Sequence, residues 1–332
     1  MFNETYIFPT WFLILEASVS VVLLIFTMVS IFLYFFEIQI IFTNRNTTFR
    51  GRPFYRLMFV GIIVDIISVI NMFTGQVIPA QKWFKSFLLK NQSWLGSIFF
   101  VVTYGGRCIQ GATAAILSFC RVCAVCFPMF YQKLGQPIYI HTLQVVQLSG
   151  AIVALLILAP DTYQYVLEND GYYSVGSDES DAVWFYLFVA IMEVFLVLII
   201  IVNNLVTYAV IKLKFKKKAA LRLNSITQGQ YQANMETQKK ESGLNKMTFI
   251  VCMVELIYFA FVVYSLQINQ SMNKRVFYFL YNILCVMYST FSAWMLFIVS
   301  KPINKHLQKK FLNLSSRKMF SISVQGSRAN NK

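Results

Sequence analysis

Charge is what this sequence has least of. Only 13% of its 332 residues are Asp, Glu, Lys or Arg, about half the share of a soluble domain. Set beside 57% hydrophobic residues and a mean hydropathy of +0.59, that scarcity excludes a soluble globular protein. It also excludes a disordered chain, whose balance is the reverse. Histidine is nearly missing: His141 and His306 are the only two, which closes off His-based triads and histidine zinc sites. The six cysteines (Cys108, Cys120, Cys123, Cys126, Cys252, Cys285) all fall in apolar stretches, with no two separate CxxC pairs. They read as small buried hydrophobes, and no disulfide framework is expected. No Gly-x-Gly-Asp, His-Glu-x-x-His or Ser/His pair stands in the apolar runs, so no nucleophile–base pair points to an intramembrane enzyme. The first ten residues hold no Lys or Arg and no short cleavable signal follows, so the first apolar run is expected to stay as an anchor.

What is present is apolar length. A bilayer core needs about 20 mostly apolar residues per helix. Seven such stretches are expected, at about 11–36, 55–78, 94–126, 141–159, 183–211, 247–266 and 276–299. The third contains Tyr104-Gly-Gly-Arg107 yet reads as one long helix, because glycine is tolerated in membrane helices. The fold class expected is an all-α membrane protein: a seven-helix bundle over 11–300, a short external segment 1–10 and an internal tail 301–332.

The bases outnumber the acids, 29 to 14, for a net charge of +15. Their placement makes this a topological signal and not a nucleic-acid one. With the N-terminus outside, the inner segments collect Arg45, Arg50, Arg52 and Arg56, then Arg121 and Lys133, a run from Lys212 to Lys246 and another from Lys301 on. The outer segments hold only Lys82, Lys85, Lys90, Lys274 and Arg275, together with an acidic loop at 160–182. The positive-inside bias therefore predicts N-out, C-in, with the cationic segments against anionic lipid. Outside sequons would be Asn3, Asn91 and Asn269, each a glycosylation acceptor in form. Residues 305–314 could form a short amphipathic helix on the membrane.

Ionisable residues at membrane depth are costly and mark function by default. Glu16 lies near the outer surface. From a rise of 1.5 Å per residue, Asp65 sits about 15 Å inside the second run, Glu193 about 15 Å inside the fifth and Glu255 about 12 Å inside the sixth. Arg107 stands about 20 Å above Arg121 on the third. A buried arginine wants a carboxylate, and Arg107 is expected to pair with Asp65 or Glu255. The functional reading makes Arg107, Tyr104, Glu193 and Glu255 polar anchors of a ligand pocket. The bland reading makes the ion pair a register device between helices. Ser68, Ser118 and Ser149 are expected as interhelical hydrogen-bond donors.

The third run ends Leu117-Ser-Phe-Cys-Arg121-Val-Cys-Ala-Val-Cys-Phe-Pro128-Met-Phe-Tyr131. Arg121, Val125, Cys126, Pro128 and Tyr131 resemble the end of helix three in rhodopsin-like G-protein-coupled receptors, and Asp65 stands at that family's buried aspartate. The departures are several: Cys120 replaces the acid, Val122 the tyrosine, helix six has no proline and helix seven no Asn-Pro-x-x-Tyr. With Pro53-Phe-Tyr55 before helix two, the mixture is similar to nematode serpentine chemoreceptors of classes gamma and v. The resemblance implies a multi-pass receptor of the plasma membrane of sensory cells. Its partners would be a small-molecule ligand and a heterotrimeric G protein, with no cofactor, and Arg121, Pro128 and Tyr131 would serve the coupling face. It also implies a sodium site at Asp65. The competing reading is a ligand-gated channel or transporter that uses the buried charges as an ion path. It accounts for the charges but not for the Arg121–Tyr131 spacing.

Overall fold

The computed structural model describes residues 8–44, 53–80, 85–158, 163–167, 173–177, 182–222, 249–261, 263–264 and 274–300, with isolated positions 47, 49, 303, 304 and 306. Six helices are long and apolar enough to cross a membrane. They are α1 (Thr10–Thr43), α2 (Pro53–Met72), α3 (Gln92–Cys126), α4 (Pro137–Leu158), α5 (Ala182–Arg222) and α7 (Lys274–Val299). A shorter apolar helix, α6 (Phe249–Phe261), stands at the sixth expected run. The chain is a multi-pass membrane protein, and the bundle is helical as the apolar runs predict. Expectations for Asn3, Asn269, the loop beyond residue 222 and the helix at 305–314 fall outside the described residues, apart from position 306.

The burial pattern is that of a membrane bundle. On α1 the buried stripe includes Thr27, Ser30, Tyr34, Glu37 and Ile41, spaced three and four apart as one helical face. Val21, Val22, Met28 and Phe32 face outward. Polar groups point in and apolar groups out, which suits lipid as the solvent. The most apolar window of α3 is 67% buried against 22% for α1, so α3 is the central strut; α2, α4 and α5 pack on it. Close approach is bought with small residues: a Cβ on Gly106 would stand 2.6 Å from Ser68 Oγ of α2, while Gly105 faces Ala151 of α4. Helix α3 stops at Phe127, and Pro128 takes the first position of a short helix, Pro128–Leu134, where its missing N–H costs nothing.

Two features were not expected. A π-helical turn, Phe73–Val77, extends α2, and the acidic 160–182 segment contains an antiparallel hairpin, β1 (Tyr163–Leu167) with β2 (Tyr173–Ser177). Tyr163 and Tyr165, two apart on β1 and so on one face, are both buried. Tyr163 stacks on Phe100 with centroids 4.3 Å apart. The Tyr165 hydroxyl donates to the Gly75 carbonyl at 2.6 Å, and burial pushes its phenol pKa up. All six cysteines are free; aromatic stacking and this hydrogen bond fasten the hairpin to the bundle. At the same end, Arg275 of α7 grips Glu16 of α1 through Nε at 3.0 Å and Nη2 at 2.7 Å.

Candidate ligand-binding site

The centre of the bundle is a charged knot around Arg107. Its Nε donates to Glu193 Oε1 at 2.6 Å and its Nη2 to Glu193 Oε2 at 3.1 Å. The same Nη2 donates to Glu255 Oε2 at 2.6 Å. The Tyr288 hydroxyl donates to the other oxygen of Glu255. Two adjoining rings pack on the guanidinium, with Cζ 4.0 Å from the Tyr258 centroid and 4.1 Å from that of Tyr288, the two centroids being 5.5 Å apart. Four helices meet here: α3 supplies the cation, α5 and α6 the carboxylates, α6 and α7 the rings. A bidentate guanidinium–carboxylate pair needs that planar fork, and a desolvated cation over an aromatic face is worth about 2 kcal/mol.

One edge of the guanidinium stays open. Nη1 is buried without a hydrogen-bond partner, as is Ser68 Oγ. Both residues line a cavity of about 30 Å³, with Thr103, Gln110, Tyr281 and Cys285, room for roughly two waters. The anchors read from sequence are thus brought together in part. Arg107, Glu193 and Glu255 share the knot, while Tyr104 stacks against Phe100 beneath the hairpin, and Thr103 lines the cavity. Of the two carboxylates expected for Arg107, Glu255 pairs with it and Asp65 does not; Glu193 completes the clamp.

Asp65 belongs to a second cluster, whose other members are uncharged side chains. Gln110 Nε2 donates to its Oδ1 at 2.7 Å and to Ser289 Oγ at 3.1 Å. Ser292 Oγ donates to Oδ2. The Tyr34 hydroxyl lies 2.9 Å from Oδ2 and 2.6 Å from the Ser289 carbonyl, with one proton to give. Side-chain donors thus occupy both carboxylate oxygens. A sodium ion at Asp65, which the resemblance implies, would have to turn these donors aside to reach oxygen lone pairs.

The interhelical serines are corrected in part. Ser118 accepts from Asn203 Nδ2 at 3.0 Å and returns its own proton to the Ala115 carbonyl. Ser149 bonds to Val146 within its own helix, and Ser68 has no partner. Sequence reasoning also missed Tyr258, Tyr288 and Gln110. The signal was spacing: Tyr258 and Gln110 lie three residues beyond Glu255 and Arg107, on the same helical faces.

At the other end of α3, Arg121 is buried with Cζ 4.7 Å from the Phe54 ring. Its Nη2 has no partner, and among the described residues it makes no ion pair. Tyr131 packs on the core beside it, whereas Pro128 is exposed. Asn91 is described too: its Nδ2 donates to the Phe87 carbonyl at 3.0 Å, and its Oδ1 accepts from Trp94 at 3.0 Å.

No curated protein matches the chain. A family model does, over residues 23–313: serpentine type 7TM GPCR chemoreceptor Srv. The match spans all seven helices, and of the two classes suggested by the Arg121–Tyr131 stretch it gives class v. The chain belongs to the Srv family of serpentine seven-transmembrane chemoreceptors.

Proposed function

We propose that this protein is a chemosensory receptor that takes a small molecule into the cavity beside Arg107 and signals to a heterotrimeric G protein. In this reading the hairpin end faces outward, the Arg121 end faces the cytoplasm of a sensory cell, and the receptor works in the plasma membrane. The Arg107 knot carries the proposal. It joins α3 to α5, α6 and α7 at one guanidinium whose Nη1 has no partner, in a residue that lines a cavity. A molecule in that cavity touches the rings that hold α6 and α7 to α3. It shifts the bundle only as far as it binds one arrangement more tightly than the other. At the far end Arg121, packed on Phe54 with a free Nη2, is the group that the G protein would engage as the helices part. Pro128 and Tyr131 shape the same face. Asn3, Asn91 and Asn269 then lie outside, within reach of glycosylation.

The test is cell-based. The full chain is coexpressed with a promiscuous Gα, and a panel of volatile and water-soluble compounds is screened beside Arg121→Ala, with surface expression checked. The expected result is a G-protein-dependent response that Arg121→Ala loses while still reaching the surface. Ligand-evoked currents that persist with G-protein signalling blocked would replace this reading with a conduction path through the buried charges.

A further inference from the structure

We infer that the head group this cavity accepts is a small uncharged hydrogen-bond acceptor, such as a carbonyl, and neither a carboxylate nor an ammonium. The inference rests on the receptor reading above for its biological use, though not for its chemistry.

The knot has already consumed most of what Arg107 can donate. Arg107 has five N–H donors. Nε and Nη2 are committed to Glu193 and Glu255, and the rings of Tyr258 and Tyr288 crowd the guanidinium at 4.0 and 4.1 Å, so the donor left over is Nη1. A ligand can bond to this cation at Nη1, with an atom that accepts. Ser68 Oγ, the other buried polar atom without a partner on the cavity wall, is a hydroxyl that can donate to the same kind of atom.

Charge then chooses among acceptors. The knot holds two carboxylates and one guanidinium, so an anionic head would be a third negative charge served by one cation in a low-dielectric interior, where like charges repel strongly. An ammonium fares no better. All four carboxylate oxygens of Glu193 and Glu255 already accept hydrogen bonds, from Arg107 and from Tyr288. Neither glutamate lines the cavity, so the cation would face Nη1 instead. An apolar head would leave Nη1 and Ser68 Oγ unsatisfied. A neutral acceptor satisfies them and adds no charge. Size agrees: about 30 Å³ admits a group of a few heavy atoms, with Val69, Met72 and Val286 as apolar wall around it.

The experiment uses the full chain in lipid nanodiscs and four probes of equal heavy-atom count: acetone, acetate, isopropylammonium and isobutane. Binding is read by ligand-observed NMR and by thermal melting, without any G protein. Acetone is expected to bind saturably with a Kd of about 1 mM, within the per-atom range of very small ligands. The other three should bind at least about tenfold more weakly: isobutane and isopropylammonium leave the hydrogen bond to a charged donor unmade, and acetate adds a buried negative charge. Ser68→Ala should weaken acetone about threefold, one neutral hydrogen bond. Cys285→Leu, which fills the cavity, should abolish saturable binding and gives a second handle should the first variant fold poorly. Acetate or isopropylammonium binding as tightly as acetone overturns the inference. So does the absence of saturable acetone binding at about 10 mM, or an acetone Kd unchanged in both variants. Acetone binding as described, with no compound ever driving G-protein signalling, would leave the cavity chemistry standing and remove the receptor reading.

Discussion

Arg107 and Arg121 stand on the same helix, about 21 Å apart along its axis, and each is only 6% exposed. Their surroundings are opposites. Arg107 has two carboxylates and two tyrosine rings; Arg121 has one phenylalanine ring and an unpartnered Nη2. Burying a charge costs several kcal/mol unless it is paired, so the two sites represent different expenditures. Near the hairpin the charge is neutralised to hold helices together. At the far end the charge of Arg121 makes no ion pair among the described residues. The fastenings follow the same division. The Tyr165–Gly75 and Glu16–Arg275 contacts gather the hairpin end, while the far end is packed mainly by apolar side chains such as Leu57, Ile62 and Leu296.

The largest effect is expected at the paired arginine. Arg107→Met strands two buried carboxylates and should cost about 3–5 kcal/mol, seen as a melting temperature lower by about 10 °C. Adding Glu193→Gln and Glu255→Gln to the same chain should restore most of that loss. If the triple variant melts as low as the single one, ring packing and not charge carries the knot. Next comes Tyr288→Phe, which keeps the ring over the guanidinium and removes the donor to Glu255. A hydrogen bond to a charged group is worth about 1.5–3 kcal/mol, and chemical denaturation of the solubilised chain would measure it. Tyr165→Phe should cost about 1 kcal/mol and speed hydrogen exchange at residues 73–77, with little change at the far end. Uniform acceleration along the chain would erase the contrast between the two ends. The smallest effect is at Arg121: Arg121→Met should change stability by under about 0.5 kcal/mol or raise it, because no pairing is lost and a buried charge is relieved.

Much of the architecture was legible because lipid imposes a length. Any run of about 20 apolar residues declares a helix, and the long α3 survived its Gly-Gly because helices in lipid tolerate glycine. Burial depth was also legible, from the rise per residue, and it brought Arg107, Glu193 and Glu255 to one level. Rotation about each helix axis was not. Asp65 and Glu255 were equal candidates for Arg107, and only the packed bundle turns Asp65 toward Tyr34, Gln110 and Ser292. The same blindness passed over Thr103, which lines the cavity. Glu37 was not among the acids singled out, yet it belongs to the buried stripe of α1, its oxygens without partners. The hairpin left no trace because its stretch is acidic and short. Its two anchoring tyrosines acquire meaning only against Phe100 and the Gly75 carbonyl, which belong to distant parts of the chain.

The contrast between the two arginines is tested most directly by melting Arg107→Met and Arg121→Met side by side, as full chains in one nanodisc preparation. The predicted result is a fall of about 10 °C for the first and a curve at or above the wild-type temperature for the second. Two equal falls, or a larger fall for Arg121→Met, would contradict the division of labour between a paired charge that holds the bundle and one that makes no ion pair among the described residues.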